Sequence, residues 1–312
     1  MIHFLKLIRW PNLLIVFLSM LFTRYLVIHP ILGFDGLSSG MNTLEFSLLI
    51  VSTLLITMGG YLINDFFDMQ SDSINKPGKN QVGKRFAVAR IQLLYWSFTI
   101  LGVLIGTLLS WKLNRLNYAL IFVFAAGLLW FYSERYKCIP IVGNVVVAFL
   151  SALSFGLVWI FEFFALTQNA HEFGAVQSNF PLVHHFILIY TGFAFIVSLL
   201  REVIKDIEDV EGDKQFGCNT FAVAYGAINA KYLGHFIALV GLTFSIWLQW
   251  FFYRAGFMIL LGYFIVIDIL FLTIMIWLFQ ATRKSDYNRL SFFIKALMVI
   301  GILSMILVYF EI

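Results

Sequence analysis

Nine apolar stretches, each near the ~20 residues needed to cross a bilayer, leave this chain little choice of fold. They run roughly 13–31, 44–63, 91–110, 116–133, 140–161, 183–200, 231–253, 256–280 and 291–310. Hydrocarbon offers no water to backbone N–H and C=O groups, so segments of this length must satisfy them internally, as helices. The charge content agrees: 12% of residues are charged and 61% hydrophobic, where a soluble domain carries about a quarter charged. The expected class is all-α, a polytopic membrane protein whose nine-helix transmembrane bundle forms one domain over residues 1–312.

The first run follows a short basic lead-in, MIHFLKLIRWPN, in which Pro11 suits a helix start and Trp10 an interface anchor. It is too long for the core of a cleaved signal, and no A-x-A site follows. Arg24, late in this run, is expected to snorkel outward. With the N-terminus inside, the inner segments hold 17 of the 21 Lys and Arg residues and the outer ones 4. Positive residues collect on the cytoplasmic side, so both acidic stretches described next are expected there. The net charge of +4 is thus a matter of topology and not a nucleic-acid signature. Cys138 and Cys218 have neither zinc spacing nor a disulfide framework, and on the cytosolic side they are expected to be reduced thiols.

Two acidic stretches interrupt the apolar background. GYLINDFFDMQSD, residues 60–72, ends the second run and carries Asn64, Asp65, Asp68 and Asp72. REVIKDIEDVEGD, residues 201–213, follows the sixth and carries Asp206, Asp209 and Asp213, with Glu202 a turn earlier. Both read D-x-x-D-x-x-x-D. If the helix continues through the first motif, Asn64, Asp68 and Asp72 share one face, with Asp65 on its edge. Stacked carboxylates repel by roughly a few tenths of a kcal/mol per pair on an exposed helix, and by more where water is scarce. Such stripes call for a cation, and all-oxygen ligands suit a hard ion such as Mg²⁺, with Mn²⁺ as a substitute.

Two acidic stripes at a membrane surface suit a ligand that cannot approach them without metal. A diphosphate, with about three negative charges, is one. Metal ions held between the stripes would clamp it and stabilise it as a leaving group. On an allylic isoprenoid, its departure leaves a delocalised carbocation that an apolar bundle can house and aromatic faces can shield. The chain has 35 Phe, 13 Tyr and 8 Trp, most of them explained by packing and interface anchoring.

N-D-F-F-D-M-Q-S-D at 64–72 and D-V-E-G-D at 209–213, at the ends of the second and sixth spans, resemble the two signatures of the UbiA superfamily of intramembrane prenyltransferases. The resemblance covers nearly the whole chain. It implies nine helices, a cytosolic cap of short helices, a Mg²⁺-held prenyl diphosphate donor, a lipophilic acceptor and a membrane-lipid setting. It also implies that Asn64, Asp65, Asp68, Asp72, Asp206, Asp209 and Asp213 are the metal ligands, with Asp68, Asp72, Asp209 and Asp213 serving catalysis. By the same resemblance Asn64 would also serve the donor. Lys76, Lys84 and Arg85 in the loop after the first motif would hold diphosphate, although Lys76 stands where N-R-P is commoner, which keeps charge but loses bidentate geometry.

In FYSERYKCIP, Tyr132 would face the cation, Ser133 the acceptor and Lys137 a phosphate. Arg201 and Lys205 would hold diphosphate or a phosphorylated acceptor, or else pair with Asp209 or Asp213. NKP after the first motif and KDIEDVEGD followed by GCNT resemble the branch joining a geranylgeranyl group to geranylgeranylglyceryl phosphate. Aromatic acceptors of quinone, chlorophyll or haem type stay open. Of other classes, an ion-coupled transporter would place its acids mid-bilayer on broken helices. A CDP-alcohol phosphotransferase would need a D-G-x-x-A-R element that this chain lacks. Asp268, mid-span, is either functional or hydrogen-bonded between helices. His235 is expected to make a hydrogen bond rather than bind metal, and His184 and His185 lie on the outer face.

Overall fold

The computed structural model describes residues 2–33, 40–75, 82–83 and 85–312. Among them nine helices are long and apolar enough to cross a membrane. They are α1 (Trp10–Leu32), α2 (Thr43–Phe67), α3 (Val88–Lys112), α4 (Leu116–Glu134), α5 (Val142–Leu166), α6 (Phe180–Gln215), α7 (Ala227–Ala255), α8 (Met258–Gln280) and α9 (Lys284–Glu311). Short helical segments at Ser71–Asn75, Tyr136–Cys138 and Phe221–Tyr225 cap the end of the bundle that carries the acidic motifs. Large apolar side chains such as Trp96, Trp111, Trp250 and Phe279 are exposed on the outside, as a lipid-facing surface requires.

α6 is the central element and packs against α5, α7 and α9. At 36 residues it outruns its apolar stretch, so the second acidic motif lies on the last turns of one unbroken helix. α2 and α3 form another tight pair. Gly59 sits against Thr99 and Gly102 against Ile56, where added Cβ atoms would approach to 2.4 and 2.8 Å. Small residues let the backbones close up where lipid supplies no hydrophobic drive between helices, and Ser52 Oγ donates across the gap to the Gly102 carbonyl at 2.7 Å. An Asn42–Glu45 capping box starts α2.

Three expectations change. α2 does not continue through the first motif. It ends at Phe67 with Asp68 as its C-cap, and a turn leads into Ser71–Asn75. The i, i+4 relation survives the break, because Asp68 N bonds Asn64 O and Asp72 N bonds Asp68 O, at 2.9 and 2.8 Å. Arg24 does not snorkel. It lies in a π-helical segment, Thr23–Ile28, is 1% exposed, and pairs with the fully buried Glu162 of α5 at 3.2 Å. A buried carboxylate that needs a cation outweighs the reach of the arginine to the surface. The third concerns the cysteines and belongs with the site.

Three further polar residues singled out by the sequence make contacts within the bundle. Gln249 of α7 donates to Asp268 of α8, so that acid is hydrogen-bonded between helices. His235 contacts the Lys231 and Met275 carbonyl oxygens at 2.8 and 3.1 Å. His184 meets the Trp159 ring edge-on.

Candidate active site

A cavity of about 530 Å³ opens at the capped end and runs down into the bundle. Its upper wall carries Asn64, Asp68 and Asp72 from the first motif and Asp206, Asp209 and Asp213 from the second. One continuous helix presents the second set. The first comes from a helix end, a turn and a short helix, and Asn75 fixes that short helix in place. Asn75 Oδ1 accepts from Gly212 N at 3.0 Å, its Nδ2 lies 3.4 Å from Asp213 Oδ1, and its carbonyl accepts from Lys284 Nζ at 2.9 Å. A Cβ at position 212 would come within 2.4 Å of Asn75 Oδ1, so only glycine admits this approach. Asn75 thus links both motifs and the start of α9.

The other expected residues divide. Asp65 does not line the cavity. Arg9 holds it at 2.6 Å, behind the wall bearing the other carboxylates. Lys137 pairs with Asp68, and Asn144 Nδ2 donates to Asp206 Oδ2 at 2.9 Å. Tyr132 and Ser133 line the cavity, and the Ser133 hydroxyl donates to its own helix at Leu129 O. Arg201 and Lys205 pair with neither Asp209 nor Asp213; both turn to Glu202, at 2.8 and 3.4 Å. Arg85 lies beside His3, outside the cavity. Lys76 and Lys84 lie outside the described residues.

Tyr136–Cys138 folds over the mouth from one side, and the chain after α6 does so from the other. Cys138 and Cys218 meet there in a disulfide, with Cα atoms 4.5 Å apart and a sequence separation of 80. The expectation of two free thiols is therefore corrected. Their separation concealed a contact made by two folded-over loops. In the turn that follows, Ile141 takes a positive φ of 68°, costly for a β-branched residue.

Among the described residues no three His, Cys, Asp or Glu side chains converge closely enough to form a metal site alone. Mg²⁺ does not need such a cage, because it commonly binds through one or two carboxylates, water and substrate phosphates. The donors here fit that mode. They are all oxygens, they line one cavity from the two motifs, and Asn64 Oδ1 is buried with no hydrogen-bond partner. Asn64, Asp68, Asp72, Asp206, Asp209 and Asp213 are the residues that would hold the metal; Asp65, turned to Arg9, would not.

Below this level the cavity becomes apolar, lined by Phe122, Leu129, Phe155, Leu157, Val197 and Ile302. Tyr190, stacked on Phe155 with ring centroids 6.3 Å apart and bonded to Ser304 at 3.0 Å, also lines its deep part. Among the polar lining residues that were not anticipated are Arg9, Asn12, Asn75, Asn144 and Lys295. Lys295 alone carried a legible signal, a charge within an apolar span.

An acidic double motif opening into a greasy channel, inside a nine-helix bundle, is the architecture of an intramembrane prenyltransferase. Residues 9–297 match the UbiA prenyltransferase family, and the chain belongs to it. The digeranylgeranylglyceryl phosphate synthase of Thermococcus kodakarensis is 30% identical over 217 residues, covering 69% of each chain. That of Sulfurisphaera tokodaii is 34% identical over 243 residues, 77% of this chain and 75% of the relative. A solved structure of a digeranylgeranylglyceryl phosphate synthase superposes with a TM-score of 0.64 at 24% identity, covering 99% of this chain and 98% of the other. A UbiA homologue from Archaeoglobus fulgidus, bound to DMAPP and Mg²⁺, gives 0.52 at 14% identity, covering 97% and 98%. At these identities the structural likeness speaks to fold.

Proposed function

We propose that this membrane prenyltransferase moves a geranylgeranyl group from its diphosphate to the free hydroxyl of geranylgeranylglyceryl phosphate, forming an ether. The observation that carries the reading is the single cavity, aspartate-lined at its mouth and apolar below. A long isoprenoid fills the lower part and brings its diphosphate level with both motifs. The acceptor is supported by the names of the relatives and by the number of cations around the cavity.

Mg²⁺ bound by the two motifs would neutralise the diphosphate and stabilise it as the leaving group. Lys137, already paired with Asp68, adds a cation beside it. The C1–O bond of the donor breaks with its electron pair going to diphosphate. The acceptor oxygen attacks C1, and the released diphosphate takes up the hydroxyl proton. The Tyr132 ring, on the cavity wall, would shield the developing allylic cation. The bundle excludes water that would otherwise quench that cation to an alcohol.

The test is purified enzyme with Mg²⁺, radiolabelled prenyl diphosphates of several lengths, and a panel of prenylglyceryl phosphate and aromatic acceptors, with products identified by mass. Ether formation on the glyceryl phosphate, abolished by EDTA and restored by Mg²⁺ or Mn²⁺, is expected. Products on aromatic acceptors alone would refute the acceptor assignment, and full turnover in excess EDTA would refute the metal clamp.

A further inference from the structure

A second set of charges lines the cavity one to two turns along α6 from Asp209 and on the neighbouring faces of α1 and α9. Arg9, Arg201, Lys205 and Lys295 all face it. Two carboxylates answer three of them: Asp65 pairs with Arg9, and Glu202 serves both Arg201 and Lys205. Asp206, the next carboxylate along α6, is bonded by Asn144 of α5. Lys295 has no carboxylate within ion-pair distance among the described residues. Its ammonium rests on Asn12 Oδ1 at 2.5 Å and lies within repulsive range of Arg201 and Arg9. Arg201 Nε is buried and makes no hydrogen bond.

Cations collected in a low-dielectric cavity beyond the carboxylates that answer them repel one another and attract an anion. A lysine facing a cavity inside a membrane span is expensive unless it has a ligand. The donor's diphosphate does not account for these groups, because it belongs with the aspartates and Lys137. Arg201 precedes Asp209 by eight residues on the same helix, about 12 Å at roughly 1.5 Å per residue. A guanidinium with a spare N–H beside an ammonium suits phosphate oxygens.

We infer that Arg201, Lys295 and Asn12, backed by Arg9, form a separate subsite for a phosphate monoester, the phosphate of the acceptor. The inference rests on the acceptor reading given above. It places the acceptor's charge on the α1–α9 side, apart from the donor's diphosphate. The enzyme can then bring two anionic lipids together without setting their phosphates side by side.

Lys295→Met and Lys295→Arg are compared with the wild type, using geranylgeranylglyceryl phosphate and its dephosphorylated alcohol as acceptors. Losing one charge-assisted contact raises KM for the phosphorylated acceptor roughly 10–100-fold. The donor KM and the KM for the alcohol stay unchanged, and Lys295→Arg recovers most of the loss. On the wild type, glycerol 1-phosphate should inhibit competitively against the acceptor and not against the donor, a result independent of how any variant folds. An unchanged acceptor KM in Lys295→Met, or competition with the donor instead, overturns the subsite while leaving the acceptor reading intact. A wild type that uses no glyceryl phosphate overturns both.

Discussion

At the scale of residues, the site depends on oxygens whose charge matters more than their packing. Asp68 and Asp209 line an open cavity, so replacing either by asparagine keeps the shape and removes a negative charge. Asp68→Asn and Asp209→Asn should each lower kcat by roughly two orders of magnitude or more, as expected when an electrostatic contributor to leaving-group departure is lost. Elution from size exclusion and the melting temperature in detergent should stay close to wild type. Near-normal turnover in either variant would show that the motif carboxylates do not hold the metal. Asp65 provides a contrast on the same motif. It sits next to Asn64 in sequence, yet its ion pair is with Arg9 and it stands outside the cavity wall.

Among elements, the difficulty lies in joining an interrupted helix to a continuous one. α6 carries its aspartates on a regular helix, whereas the first motif crosses from α2 through a turn into Ser71–Asn75. The Asn75–Gly212 contact makes a single site of the two. Gly212→Ala would push a methyl group against Asn75 Oδ1 in a buried position, with a cost of about 1–3 kcal/mol for overpacking. The melting temperature and kcat should both fall. The double variant Gly212→Ala/Asn75→Ala should melt higher than Gly212→Ala alone, because removing the amide relieves the clash. Additive losses in that cycle would show that the contact does not join the motifs.

For the whole molecule, we propose that the capped end faces the cytosol. The support is the 17-to-4 division of Lys and Arg between the two ends of the bundle. The Cys138–Cys218 bond lies at that same end and is unusual for a reducing compartment, so the orientation needs a direct measurement. Lys214, exposed at the end of α6, is a suitable reporter. Lys214→Cys in intact cells should take up a membrane-impermeant maleimide no faster than the unsubstituted protein, and should label readily in inverted vesicles. Labelling in intact cells would reverse the topology while leaving the site as described.

The sequence by itself determined the class of fold, because twenty-residue apolar runs in a bilayer have only helices open to them. It also determined the two acidic motifs, since a repeated D-x-x-D-x-x-x-D at the ends of two spans is visible without coordinates. What depends on distant segments meeting was not legible. The end of α2 at Phe67, the burial of Arg24 against Glu162, and the meeting of Cys138 with Cys218 are each settled by a partner far along the chain. The same holds for the second group of cations. Arg201 is a candidate from the sequence and Lys295 stands out as a charge within an apolar span, but nothing in the sequence brings either to the other or to Arg9, at the N-cap of α1. Only the tertiary structure, by closing α1, α6 and α9 around one cavity, gathers them where a low dielectric makes their shared charge consequential.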